Sequence, residues 1–171
     1  VVSRNKQAEA FALGEAVGDR DLPRALRCLD EEFWEMQFDR EKSAIGLLYG
    51  LITKVRTLLL LKELFAAGLL KPEASYDRFK SQLTRLPADL LPADKRYNPA
   101  AMHPFVLFKA VPQTGHYTSA ELVEAMEALL VCNRRLVSSG LDEATLLQQL
   151  LVRIIGQPKP RRPARGEARA R

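Results

Sequence analysis

Between Ile45 and Leu70 the chain carries its densest run of large aliphatic side chains, and Lys54, Arg56, Lys62 and Glu63 interrupt it. A bilayer span needs about 18 or more nearly uninterrupted apolar residues, and charges at those intervals would be costly there, so no membrane partner is expected. The periodicity is helical. Ile45, Leu48, Ile52, Val55 and Leu59 fall on one face, and Leu47, Leu51, Leu58, Leu61, Leu64 and Phe65 widen it. A helix apolar on so many sides has to be enclosed by neighbours. The pattern predicts a spine from Asp39 to Ala67, roughly 40 Å long at 1.5 Å per residue, with Gly68 as its C-terminal stop.

Glycine and proline clusters cut the rest into further helical stretches. A first helix is expected over Asn5 to Val17, stopped by Gly18-Asp19. Asp21 can cap the next, with Pro23 in the first turn, where its missing N–H is harmless; its stripe is Leu22, Ala25, Leu26, Leu29 and Phe33. Tyr76, Phe79, Leu83 and Leu86 form a shorter amphipathic piece. Pro87, Pro92 and Pro99 then mark an extended connection through Arg96-Tyr97-Asn98. Helix resumes after His103-Pro104 and ends near Pro112 and Gly115. Thr118-Ser119-Ala120-Glu121 has capping-box spacing and opens a helix with Leu122, Ala125, Met126, Leu129, Cys132 and Leu136 on one stripe. Ser138-Ser139-Gly140 closes it. Asp142 can cap a last helix carrying Leu146, Leu147, Leu150, Leu151, Ile154 and Ile155, which stops at Gly156.

No alternating run bounded by turn residues argues for a strand, so the fold class is all-α, a bundle of about six to seven helices over residues 1–156. Residues 157–171 contain Pro, Arg, Ala and Gly and no large apolar side chain, so nothing offsets the entropy of ordering them and a disordered tail is expected. The opening Val1-Val2-Ser3-Arg4 lacks an initiator Met and suggests a piece of a longer protein.

The net charge of +5 is less informative than it looks. The tail holds Lys159, Arg161, Arg162, Arg165, Arg169 and Arg171 against Glu167 alone, leaving 20 basic and 20 acidic residues in the rest. The folded part is therefore balanced, and only the tail could touch nucleic acid, through salt-sensitive phosphate contacts of Arg161, Arg162 and Arg165 without an aromatic residue to stack on bases. Cys28 and Cys132 are lone thiols inside apolar helical patterns, as suits a reducing cytoplasm.

Catalytic signatures do not emerge. There is no GxxxxGK[ST], GxGxxG or GxSxG, and His103 and His116 sit in neither HExxH nor a zinc-ligand spacing with cysteine, so both read as loop or cap residues. The acidic run Asp30-Glu31-Glu32 with Glu35 reads as a solvated helix face paired to Arg24 or Arg27, since no His stands beside it. Gly46 and Gly50 with Thr53 and Thr57 make a small-residue strip that either admits a close helix or is simply exposed. Arg134 and Arg135 could take a partner's carboxylates, although complementing the helix dipole is the favoured role. No catalytic residue, metal or cofactor is expected.

Two segments carry a family resemblance. The first is Phe11-Ala12-Leu13-Gly14-Glu15-Ala16-Val17-Gly18-Asp19 running into Ala25-Leu26-Arg27-Cys28-Leu29, followed by the long helix around Lys54-Val55-Arg56. The second is His103-Pro104-Phe105-Val106-Leu107-Phe108-Lys109-Ala110, then Tyr117-Thr118-Ser119-Ala120-Glu121-Leu122, then Leu129-Leu130 to Ser139-Gly140-Leu141-Asp142. Together, from Phe11 to Ile155, they resemble the C-terminal collar domain of the delta-subunit family of the bacterial DNA polymerase III clamp loader. The chain departs from that pattern at Asn133 and Val137, where the family usually has Asp and Lys, at Pro112, and in the Arg96 to Pro99 loop.

The resemblance implies a cytoplasmic, non-enzymatic piece of a DNA-replication holoenzyme that packs side by side with other clamp-loader subunits in a hetero-oligomer. The sliding clamp and DNA would be reached only through domains N-terminal to such a collar. Arg56, Arg134, Arg135, Leu147 and Leu151 are the residues expected at the subunit interface. The competing expectation is a stand-alone helical nucleic-acid-binding module that uses the basic tail.

Overall fold

A computed structural model describes residues 12–87, 89, 91, 93, 94, 98 and 101–156. Among these residues every regular element is helical and no strand forms. In chain order they are α1 (helical residues 12–18), α2 (Leu22–Met36), α3 (Ala44–Ala66), α4 (Tyr76–Leu83), α5 (Pro104–Ala110), a 3-10 turn (Pro112–His116), α6 (Ser119–Ser138) and α7 (Glu143–Ile155).

The helix starts follow their capping residues. Asp21 Oδ1 accepts from Arg24 N at 2.9 Å, with Pro23 in the first turn of α2. Thr118 and Glu121 close a complete capping box on α6, and Asp142 Oδ2 accepts from Thr145 N at 2.8 Å on α7. The spine is shorter than expected. α3 begins at Ala44, where Ser43 Oγ accepts from Gly46 N at 3.1 Å, and runs about 35 Å. Asp39 heads a turn instead, its carboxylate and carbonyl accepting from Glu41 N and Lys42 N, which stops helix from propagating back to it.

Two helices end in the same hydrogen-bond pattern with different residues at the left-handed position. After α3, Leu69 N donates to Leu64 O and Gly68 N to Phe65 O, with Gly68 at φ +68°. After α1, Asp21 N donates to Ala16 O and Arg20 N to Val17 O, but the left-handed residue is Arg20, at φ +59°. Gly18 is thus not the conformational stop. It is glycine because a Cβ there would lie 2.4 Å from Gln113 Oε1 and 2.6 Å from Lys54 Cε.

The core runs along α3, which packs chiefly on α6, while α7 bridges α6 and α2. α3 buries Leu47, Leu48, Leu51, Val55, Leu58, Leu61 and Leu64, leaving Ile45 exposed and Ile52 and Leu59 only half-buried. The buried face is therefore turned from the one expected, centred on the Leu47-Leu51-Leu58 line because α6 and α7 approach from that side. By length and composition α3 could cross a bilayer; 44% of its most apolar window is buried, against α5, α6, α7 and the 3-10 turn, and Lys54 and Lys62 bond to Glu15 and to the Thr114 carbonyl. α4 and α5 pack through Tyr76 edge to face on Phe108 at 5.5 Å and Phe79 tilted against the same ring at 5.7 Å.

Candidate functional site

The sequence points to surfaces rather than to a cleft, so the first distinction is between polar groups used inside the chain and side chains left facing out. The densest polar cluster lies where the end of α1 meets the 3-10 turn, the start of α6 and the end of α7. Arg20 donates from Nε to Ile155 O at 3.0 Å, from Nη1 to His116 O at 2.6 Å and from Nη2 to Glu121 Oε1 at 2.9 Å, and its guanidinium stands 4.7 Å over the Tyr117 ring. Tyr117 in turn donates to Val17 O. Arg20 makes these contacts to two carbonyls and a carboxylate from a left-handed backbone, φ +59°.

Around that anchor, Gln113 Nε2 donates to Glu15 Oε2 and Asp19 Oδ1 at 3.0 and 2.8 Å, and Lys54 Nζ reaches Glu15 Oε1 at 2.9 Å. His116 Nδ1 lies 2.9 Å from Gly18 O; a carbonyl can only accept, so that nitrogen carries the proton. The Arg20 hydrogen bond, supported by the Thr118 N–H, holds the Glu121 carboxyl down at about 2. Burial pushes the Tyr117 phenol up, with Arg20 opposing. Gln113 Oε1 is buried without a hydrogen-bond partner, but the charged groups of the network pair with one another, and such pairing fixes the helices against each other.

A second cluster corrects part of the reading of the acidic run as a solvated face: Asp30 and Glu31 are exposed, but Glu32 is not. Glu32 is 2% exposed, and Lys42 folds back from the turn before α3 to donate to Glu32 Oε2 at 2.9 Å and to Glu35. Arg24 pairs instead with Asp19, at 2.9 Å. Burial pulls the Lys42 ammonium down, but its bonds to Glu35 and Glu32 outweigh it and hold the ammonium above its usual range. Burial, then Glu31, pushes the Cys28 thiol up, the opposite of an activated nucleophile. The crevice beside Cys28, Glu31 and Glu32 encloses about 160 Å³, as does one between α6 and α7 lined by Cys132, Arg135, Leu150 and Arg153. Both fall well short of the roughly 300 Å³ where small-molecule sites begin. Among the described residues, no three His, Cys, Asp or Glu side chains are grouped to hold a metal ion.

The outward apolar groups form the other class. At the end of α2, Trp34 and Phe38 are 64% and 75% exposed and pack edge to face at 5.6 Å. At the start of α3, Ile45 and Tyr49 are exposed as well. On α6, Val123, Leu130 and Val137 face out, opposite the buried Leu122, Ala125, Leu129 and Cys132.

The expected interface residues divide three ways. Arg134 and Arg135 are exposed near the end of α6, and Arg56 is half-buried on α3. Leu147 and Leu151 have no exposed surface: the α7 stripe that bears them is enclosed by α2, α3 and α6, so they are core residues and cannot meet a partner without unfolding the helix. Arg161, Arg162 and Arg165 lie outside the described residues, as does most of the Arg96 to Pro99 loop. Gly46 and Gly50 are exposed, and among the described residues a Cβ at Gly50 would meet nothing within 4 Å outside its own helix. The single-stripe reading of α6 overlooks its second, outer stripe, although the spacing of Val123, Leu130 and Val137 was visible in the residues themselves. Comparison with protein-family models, with characterised proteins and with solved structures finds no match to this chain.

Proposed function

We propose that this chain is a non-catalytic assembly module, the collar-type domain by which a clamp-loader delta subunit packs against partner subunits in DNA replication. Support comes from the exposed Trp34–Phe38 pair at the end of α2. Large aromatic side chains are the groups that protein interfaces enrich at their centres. The all-helical order of elements is compatible with the same reading. Contact with the clamp and with DNA would fall to domains that precede a collar.

Capture of the other clamp-loader subunits by the purified chain, at about 0.15 M and about 0.5 M salt, tests this directly. Packed apolar contacts predict capture at both concentrations, lost in a Trp34→Ala/Phe38→Ala double variant that still folds. Failure to capture any subunit, together with DNA binding that vanishes on removing residues 157–171, would replace it with the tail-driven nucleic-acid module.

A further inference from the structure

The apolar positions on the outer stripe of α6 are symmetric about one residue. Val123, Glu127, Leu130, Arg134 and Val137 are all exposed, and steps of four, three, four and three place them within an arc of about 80° on a helix of 3.6 residues per turn. Leu130 is the centre, 55% exposed, with a valine seven residues away on either side. Between centre and ends stand one acid, three residues before Leu130, and one base, four residues after it, so reversing the helix leaves the apolar positions in place and brings each charge within one residue, about 1.5 Å along the axis, of the opposite one. Glu124 and Arg135, exposed on one flank, continue the same acid-to-base gradient along the helix.

We propose that α6 pairs antiparallel with α6 of a second copy of this chain about a two-fold axis at Leu130. Leu130 then meets its own counterpart, Val123 meets Val137 of the second copy, and Glu127 meets Arg134 of the second copy, twice over by symmetry. A two-fold perpendicular to the helix pair keeps both ion pairs on one side of the apolar line, where both side chains already project. Antiparallel alignment also sets each helix terminus beside the opposite end of its partner's dipole. A single helix pair buries less than a standard interface, so the association is weak and concentration-dependent. This pairing goes beyond the collar reading and does not rest on it.

Sedimentation equilibrium of the 171-residue chain from about 1 µM to about 1 mM, with helicity checked by circular dichroism, measures it. The wild type should shift from monomer towards dimer, and Leu130→Glu should remain monomeric with unchanged helicity. Glu127→Arg and Arg134→Glu each place like charges opposite one another, and each alone should weaken self-association about tenfold or more. The two-fold makes a sharper demand: mixing those two variants should restore association as a heterodimer, and the double variant should self-associate again. A wild type monomeric throughout, or an association indifferent to Leu130→Glu or to the charge exchanges, overturns the pairing. A monomeric chain that still captures clamp-loader subunits would sink the pairing alone.

Discussion

Helix α6 belongs to two regions built on opposite terms. At its first turn Glu121 is held by Arg20 and by the Thr118 capping box, within a network that joins α1, the 3-10 turn and the end of α7. Two turns later the same helix turns Leu130 to solvent, as α2 turns out Trp34 and Phe38. The first region converts polar groups into a fixed geometry and leaves little for a partner to bind. The second keeps apolar area in water that is available to another molecule. Stability and association should therefore separate cleanly under substitution.

The largest effect is expected where sequence pattern alone would have placed an interface. Leu147 is fully buried, and Leu147→Ala should cost about 2–5 kcal/mol in urea unfolding, through lost transfer energy and the cavity left behind. Leu130→Ala, a chemically identical change on an exposed side chain, should stay within about 0.5 kcal/mol. Equal costs would mean that the two stripes are not inner and outer.

Arg20 comes next, and its backbone allows its two contributions to be separated. Arg20→Ala removes three hydrogen bonds donated by a cation, one of them to a carboxylate, and keeps a Cβ at φ +59°; a loss of about 2–3 kcal/mol is expected. Arg20→Gly removes the same bonds but suits the left-handed position, so it should be about 0.5–1 kcal/mol more stable than the alanine variant. If alanine equals or exceeds glycine, the left-handed turn is not what holds the α1–α2 junction.

A smaller effect should appear on acidification. Glu121 titrates near 2 in the folded chain against an ordinary 4.5, so the unfolded chain takes up its proton first. Its contribution is present above pH 4.5 and is lost as pH falls from there towards 2. Glu121→Gln should be less stable near neutrality and show a shallower decline across that window in thermal melts. Parallel curves for the two proteins would remove Glu121 from the acid response.

Fold class, helix order and caps were legible because they are local: Asp21, Thr118 and Asp142 sit within three residues of the N–H groups they accept from. What was not legible depends on side chains distant in the chain. Lys42 buries Glu32 only because the turn at Asp39 sends it back along α2, and Gly18 matters only because Gln113 arrives from 95 residues further on. Leu147 lies on an apolar stripe that spacing alone reveals, but only the packing of α7 between α6 and α2 shows that this stripe is buried inside the fold and does not face a partner. The basic tail is the opposite case, with its charge plain in the residues and its position outside the described structure.

The smallest expected change in stability is the most telling for function. Trp34 and Phe38 touch each other at 5.6 Å while most of each ring faces water, so Trp34→Ala/Phe38→Ala forfeits little beyond one exposed edge-to-face contact. Thermal unfolding should move by no more than a surface substitution does, within about 0.5 kcal/mol. Binding should respond differently, because a rigid aromatic pair loses little side-chain freedom when covered and brings large apolar area into the contact. A loss of partner capture of tenfold or more at unchanged stability would place the pair at an interface. Loss of stability without loss of capture would return both rings to the fold and leave the outer stripe of α6 as the surface to test.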